Sequence, residues 1–345
     1  MAKKNSVYFV CGVVIMLIIL IVAEPQICRN SAYKGLLLCG RVIIPSLFPF
    51  TMCVLFILKS GIFEELSKIT GLNFYEFGVI SLSFIGGYPI GAKLLNEAVK
   101  QNRISPLRAS RMLNFCVNAG PAFIVGAVGD GLLQSRKLGY YLLLAHIISS
   151  AVLGVFISVI TKKEQVNTAK QPQMLGFADN FVLSSAEAAS AVMSVCGFVI
   201  LFSFINGYIS FLAQKFAGLK SLTFLTEVTN AVSQTDNLFT IAFLLGFSGF
   251  GVWFQVITLV REFKINIWKF ILFRILHGTI SAALLFVILK IFGVSVPTFS
   301  NGKAFSVTYI YSTPVLSVCM LLMCIVFVIS LEGKKYAGKI TEDIV

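Results

Sequence analysis

Long apolar runs with almost no charge decide what this chain can fold into. Residues 7 to 23, 138 to 160, 190 to 213 and 267 to 292 are each long enough to cross the hydrocarbon core of a bilayer as a helix. Only 12% of the residues are charged, whereas a soluble domain has about 25%. The runs are continuous and do not alternate in polarity, so the spans should be helices. We predict an all-α polytopic membrane protein whose main partner is the lipid bilayer.

The net charge of +13 comes from short basic clusters at the ends of the apolar runs. Such clusters are typical of anchoring at the membrane surface, although some of these cations could instead meet an anionic solute. No polar stretch is long enough to fold into a basic soluble module, so we expect no nucleic-acid partner. The eight cysteines form no C-x-x-C pair and lie mostly in apolar runs. We therefore expect buried thiols and no metal site.

Residues 74 to 100 contain apolar segments that are too short to span a membrane. An arm at 74 to 85 is followed by Gly86-Gly87-Tyr88-Pro89-Ile90-Gly91 and by a second arm at 92 to 100. At 1.5 Å per residue, neither arm crosses about 30 Å of hydrocarbon. We predict a re-entrant helical hairpin with its tip at membrane depth. Irregular backbone is tolerated there only beside protein or a water-lined cavity, so the tip is a candidate binding site.

A polar interruption follows this hairpin. Ser105 and Pro106 predict a helix start, with the serine as N-cap and the proline in the first turn. The helix runs into Asn114 and Asn118, which are four residues apart and would share one helical face. The Gly120-Pro121 pair then breaks the helix. We predict a broken helix that presents two amide side chains to a solute.

The second half of the chain repeats this arrangement. An apolar arm at 238 to 245, a glycine-rich segment at 246 to 251 and a return arm at 252 to 260 predict a second re-entrant hairpin. Gly87 precedes the helix-starting Ser105 by 18 residues, and Gly249 precedes the analogous Asn266 by 17. Paired short, glycine-interrupted segments at corresponding positions indicate a transporter site at the interface of two repeats. We therefore predict an internally duplicated carrier.

Two charged residues near the predicted breaks are candidates for ion coupling and substrate binding. Glu227 precedes Thr229 and Asn230, and a carboxylate at membrane depth is a functional candidate by default. It could bind a proton or a sodium ion, or it could be a solvated residue of a surface loop. Lys93 could neutralise an anionic solute or extend to the membrane interface. The predicted substrate-binding residues are Gly86, Gly87, Tyr88, Pro89, Gly91, Lys93, Asn114, Asn118, Ser248, Gly249 and Gln255, and the predicted ion-coupling residues are Glu227, Thr229 and Asn230.

The sequence gives little support to a catalytic role. His146 and His277 each lie in an apolar helix with no acidic residue within four positions. No nucleophile-base pattern, phosphate loop or metal-ligand spacing accompanies them. We expect two buried, neutral histidines that are hydrogen-bonded to neighbouring helices. We predict that the protein is not an enzyme and that it needs no cofactor other than a coupling proton or sodium ion.

The polar stretch after residue 160 divides the chain into two halves. We expect both repeats to pack into one membrane domain, while the sequence leaves homo-oligomerisation open. The predicted segments are an N-terminal transmembrane helix and connection at 1–34, a first repeat at 35–160, a polar linker at 161–180, a second repeat at 181–295, and a C-terminal transmembrane helix with a basic tail at 296–345. Cleavage of residues 1–23 as a signal peptide is the alternative for the first helix.

The segment from Ser83 to Pro121 resembles the nucleoside-recognition Gate domain, and most closely the YlbJ-type sporulation integral membrane proteins. The resemblance rests on Gly-Gly-Tyr-Pro-x-Gly-Ala-Lys at 86–93, Ile-Ser-x-x-x-Ala-Ser-Arg at 104–111 and Asn-x-x-x-Asn-Ala-Gly-Pro at 114–121. The segment at 44–50 and the Glu-Val-Thr-Asn sequence at 227–230 fit it as well. It extends over roughly residues 40 to 290.

This resemblance implies a fold similar to that of concentrative nucleoside transporters. It implies two inverted repeats, two re-entrant hairpins and two broken helices around a central site. It also implies a role in endospore formation, with dipicolinic acid as the proposed cargo across the outer forespore membrane. A nucleoside or other small-solute carrier is the first alternative, and a non-transporting membrane scaffold in sporulation is the second.

Overall fold

The structure is a computed structural model that describes residues 2–70, 74–161 and 176–294. Within these ranges the chain forms helices and no strands. In the first half the helices are α1 (Ala2–Ala23), α2 (Pro25–Leu38), α3 (Ile44–Lys59), α4 (Ile62–Thr70), α5 (Phe74–Gly86), α6 (Ile90–Lys100), α7 (Pro106–Cys116) and α8 (Arg136–Ile160). In the second half they are α9 (Phe177–Ala213), α10 (Thr223–Thr226), α11 (Val228–Ser233), α12 (Leu238–Phe247), α13 (Gly249–Leu259) and α14 (Ile267–Ile291).

Four helical segments are long and apolar enough to cross a membrane. They are α8, α9, the combined segment Leu238–Leu259, and α14; two bent helix pairs raise the number of candidate spans to as many as six. These spans confirm the prediction of an all-α polytopic membrane protein. The predicted C-terminal transmembrane helix and basic tail, at 296–345, lie outside the described residues.

The side-chain pattern of α8 explains how such a helix is stabilised in a bilayer. Tyr140, Leu144, Ile148 and Val152 are exposed and recur every four residues along one face. The opposite face buries Leu138, Leu142, Ala145 and other residues against the protein. In water this stripe would be an aggregation hazard, but lipid tails cover it without penalty.

The first predicted hairpin is present. The short helices α5 and α6 pack against each other and are joined at Gly87, Tyr88 and Pro89. Gly87 has φ +75°, a left-handed conformation that glycine adopts without strain. The backbone N–H of Ile90 donates to the Gly87 carbonyl over 2.9 Å and closes the turn. The chain therefore reverses within this segment.

The second predicted hairpin is wrong. Residues 238 to 259 do not reverse; α12 and α13 together form a single candidate span of 22 residues, Leu238–Leu259. The interruption lies at Ser248 and Gly249, whose φ angles are +69° and +77°. The physical reason is that α12 packs along α14, with Gly246 directly against Gly278. The arms of the first hairpin instead pack on each other.

Two further segments complete the description. A π-helical turn, Cys39–Ile43, precedes α3, which has Pro45 in its first turn and Pro49 inside. The helix predicted at 190 to 213 begins earlier, at Phe177, and so includes Glu187. Most of the predicted linker lies outside the described residues, and the inverted relation of the halves stays a prediction.

Candidate functional site

The first helix break lies at the end of α7. The side-chain oxygen of Ser105 accepts a hydrogen bond from the Arg108 N–H over 3.1 Å, which confirms the predicted N-cap. The helix ends at Cys116, and Val117 is extended. Asn118 therefore lies beyond the helix end, and the expectation that it shares a helical face with Asn114 is wrong.

The last carbonyl groups of α7 meet specific neighbours, although they have no partner within the helix. The amide of Asn118 and the hydroxyl of Ser150 donate to the Phe115 carbonyl over 2.8 and 2.5 Å. The guanidinium of Arg274 donates to the Asn114 and Val117 carbonyls. The break is therefore held by side chains from α8 and α14.

The hairpin is fitted closely against this helix end. At Gly91, an added Cβ would lie 1.7 Å from the carbonyl oxygen of Cys116. At Gly87, an added Cβ would lie 2.9 Å from the backbone nitrogen of Gly120. Only residues without a side chain permit these approaches, which place the hairpin tip directly against the helix break.

His146 and His277 are fully buried beside the same break, with ring centroids 4.5 Å apart. The Nε2 atom of His146 accepts a hydrogen bond from the Ala119 N–H over 3.0 Å. The Nε2 atom of His277 lies 3.1 Å from the His146 carbonyl, to which it can only donate. The expected hydrogen bond to a neighbouring helix is confirmed for His277, which bonds to α8, whereas His146 bonds to the non-helical segment after α7.

The second break is at Glu227, which is extended between α10 and α11. The Thr226 hydroxyl lies 2.6 Å from the side-chain oxygen of Asn206 and 2.9 Å from the Thr223 carbonyl. An added Cβ on Gly249 would lie 3.5 Å from the Glu227 Cα, so the start of α13 lies against this break. Glu227 itself is buried, with 5% of its surface exposed.

A cavity lies between the hairpin tip, both helix breaks and α13. Its volume is about 130 Å³, which is room for about four waters. Both π-helical segments, Cys39–Ile43 and Ala122–Leu132, contribute to its walls. The walls are mostly apolar, and Glu227 is the one charged residue among the described residues that line it. The Tyr88 hydroxyl, at the tip, donates to the Leu245 carbonyl of α12.

The cavity brings together part of the predicted site. The predicted residues that line it are Gly86, Gly87, Tyr88, Glu227, Thr229 and Gln255. Gly91, Asn114, Asn118 and Gly249 lie in the supporting structure described above, and the Ser248 hydroxyl donates to the Phe247 carbonyl over 2.6 Å. Asn230 lies in α11, and the structure does not describe its side chain. Whether any of these residues binds a solute stays a prediction.

Lys93 lies outside the cavity lining, in an ion-pair cluster that the sequence did not predict. Its Nζ is 3.4 Å from Oε2 of Glu187. Lys59 lies 2.7 Å from Glu187 and 3.6 Å from Glu97, so two cations and two anions meet between α3, α6 and α9. A neighbouring cleft is lined by Lys93 and Pro89 and shares Leu47 and Val195 with the cavity. The only indication of this cluster in the sequence was Glu187, a glutamate within the apolar sequence of α9.

Arg274 is the other residue that sequence reasoning missed. It lies inside α14 and is fully buried. The signal was an arginine three residues before His277 within an apolar run. An intramembrane arginine of this kind is a functional candidate by default.

One curated protein is similar to this chain. The sporulation integral membrane protein YlbJ of Bacillus subtilis (strain 168) is 24% identical over 345 aligned positions, which cover 84% of each chain. The chain is similar to YlbJ over most of its length. The predicted resemblance to YlbJ-type proteins is thus confirmed, and the protein is an integral membrane protein. No family model matches the chain, and no solved structure matches it. The likeness to Gate domains and nucleoside transporters stays a prediction.

Proposed function

We propose that this protein is a membrane carrier of a small, flat, anionic aromatic solute, with dipicolinate in endospore formation as its cargo. Its place would then be the bacterial cell membrane, and during endospore formation the outer forespore membrane, and its role would be transport without catalysis. The observation that carries the proposal is the cavity at the junction of the hairpin tip, the two helix breaks and α13. A scaffold has no need of irregular backbone around an internal cavity.

The size and walls of the cavity suit such a solute. A volume of about 130 Å³ is on the order of that of one small aromatic ring with its substituents. Apolar walls from Val195, Val199 and Val252 can cover the faces of the ring, and Gln255 and Thr229 can bind its polar edge. The tip residue Tyr88 can contact the ring from the side of the hairpin.

The charge of the cavity assigns a role to Glu227. A dianion placed beside an ionised carboxylate would be repelled strongly in so apolar a site. Dipicolinate binding therefore requires that Glu227 take up a proton, which would make the carrier proton-coupled. Lys93 is a candidate for a counter-charge, because its cleft adjoins the cavity.

A nucleoside carrier is the second candidate, and the neutrality of most of the lining favours it. A nucleoside has a flat ring and no charge, so it could use Gln255, Thr229 and ionised Glu227 as hydrogen-bond partners. Such a solute would bind without proton uptake. The two candidates therefore differ in a measurable property and not only in the shape of the solute.

A thermal-shift screen of the purified protein tests the proposal. We expect dipicolinate to raise the unfolding temperature, since a ligand at a hundred times its Kd stabilises the folded state by about 2.7 kcal/mol. Isophthalate, which lacks the ring nitrogen, is the matched control solute, and uridine represents the second candidate. The variant Gln255→Leu should weaken the response to the true ligand. If neither dipicolinate nor uridine stabilises the protein, the carrier proposal fails and the scaffold alternative gains.

A further inference from the structure

Arg274 is a buried cation without an acidic partner in the described part of the chain. Its side chain is fully buried within α14. Its guanidinium donates to the backbone carbonyls of Asn114 and Val117, and the ring of Phe270 lies 5.6 Å away. No carboxylate among the described residues lies within 4.0 Å of it. Burial of a cation is unfavourable unless fixed dipoles or charges compensate for it.

The compensation comes from the end of α7. The final carbonyls of a helix have no helical partners, and together they carry about half a negative charge. Asn114 lies in the last turn of α7, and Val117 follows its last residue. The guanidinium thus neutralises the C-terminal end of a broken helix. Since the hairpin tip packs on the same end through Gly91, the cation lies where tip and break meet.

In other carriers, carbonyl groups at such a position bind a cation. Unwound backbone carbonyls and the C-terminal ends of half-helices are the groups that commonly coordinate a coupling sodium ion. In this protein those groups already bind a guanidinium that is part of the chain. We propose that Arg274 is a tethered substitute for a bound sodium ion, so that solute binding by this carrier is independent of sodium. The proposal rests on the proposed carrier function and leaves the proton as the coupling ion.

The variant Arg274→Met tests this inference because it removes the charge and keeps much of the side-chain volume. Without the guanidinium, the carbonyls of Asn114 and Val117 become available to a free cation. We expect the variant to unfold at a lower temperature than the wild type in N-methylglucamine chloride. Added sodium chloride should restore a few degrees in a saturable manner, whereas wild type should not respond. Lys269→Met, an exposed substitution in the same helix, is the matched control and should behave as wild type.

The measurement on Arg274→Met uses no solute, so its result does not depend on whether the carrier proposal is correct. A sodium requirement for solute-induced stabilisation of the wild type would overturn the inference. So would a folded Arg274→Met protein whose unfolding temperature is the same in sodium and N-methylglucamine. If Arg274→Met does not fold, Arg274→Lys retains a tethered cation and should fold with no sodium response, and a saturable sodium response in that variant would contradict the inference.

Discussion

Lys59 and Glu187 form a buried ion pair, with an Nζ to Oε1 distance of 2.7 Å, that joins α3 to α9. Their side chains expose 4% and 17% of their surface. The loss of one member of such a pair leaves a buried charge without its partner, which costs about 3 kcal/mol. We expect Glu187→Gln to lower the unfolding temperature markedly. Glu65→Gln, which removes an exposed pair with Lys68, should cost less than about 1 kcal/mol.

A double variant distinguishes loss of the pair from loss of packing. The combined change Lys59→Met and Glu187→Gln leaves Lys93 and Glu97, whose charges still balance. Because residues in one ion-pair network couple, the double variant should be more stable than the sum of the single effects suggests. Strict additivity in thermal or denaturant unfolding would show that the cluster contributes no coupling.

The contact between Gly91 and Cys116 predicts a severe effect of a single methyl group. Gly91→Ala would place a carbon 1.7 Å from the Cys116 carbonyl oxygen, so the hairpin or α7 must shift. We expect a loss of about 3 kcal/mol of stability and of solute binding. Gly197→Ala, where an added Cβ meets nothing within 4 Å, is the matched control. Equal unfolding temperatures for the two variants would contradict the placement of the hairpin.

Labelling from the two membrane faces tests whether the first hairpin returns to the same face and whether Leu238–Leu259 crosses to the other. In a protein without its native cysteines, we expect Asp236→Cys and Glu262→Cys to react with an impermeant maleimide from opposite sides. Thr70→Cys and Asn102→Cys, which flank the first hairpin, should react from the same side. Labelling of Asp236→Cys and Glu262→Cys from the same side would show that residues 238 to 259 form a hairpin and not the span in the structure.

Sequence spacing predicted the local interruptions well because their causes are local. The cap at Ser105, the break after α7 and the extended Glu227 follow from the chemistry of serine, glycine, proline and polar side chains at those positions. Whether the chain reverses or continues after an interruption depends on contacts with helices that are distant in sequence. The sequences around Gly87 and Gly249 are alike, but α6 returns along α5, whereas α13 continues beyond α12, which packs along α14.

The charged residues that the sequence analysis missed were missed for the same reason. Lys59, Glu187 and Arg274 are far apart in sequence from the groups that compensate for them. Arg274 interacts with carbonyls about 160 residues earlier, and no pattern in α14 indicates that contact. An isolated charge inside an apolar run does indicate that some partner exists. Only the packing of the helices supplies its identity.

Glu227 should account for proton uptake on binding of an anionic solute. In calorimetric titrations with dipicolinate in buffers of different ionisation enthalpy, we expect the wild type to take up close to one proton per solute. Glu227→Gln should bind with no uptake, because the neutral amide needs no proton to accept a dianion. Asp130→Asn, an exposed change, should leave uptake unaltered. Undiminished uptake by Glu227→Gln would exclude this residue as the coupling group.

Solute protection of a cysteine inside the cavity measures occupancy of the site itself. In the protein without native cysteines, Ala127→Cys lies on the cavity wall, and Trp268→Cys on α14 is exposed and serves as control. We expect dipicolinate, or uridine for the second candidate, to slow methanethiosulfonate labelling of position 127 at least about tenfold at a hundred times its Kd, with no change at position 268. Labelling of position 127 at the same rate with and without both solutes would contradict a binding site at the junction of hairpin and helix breaks.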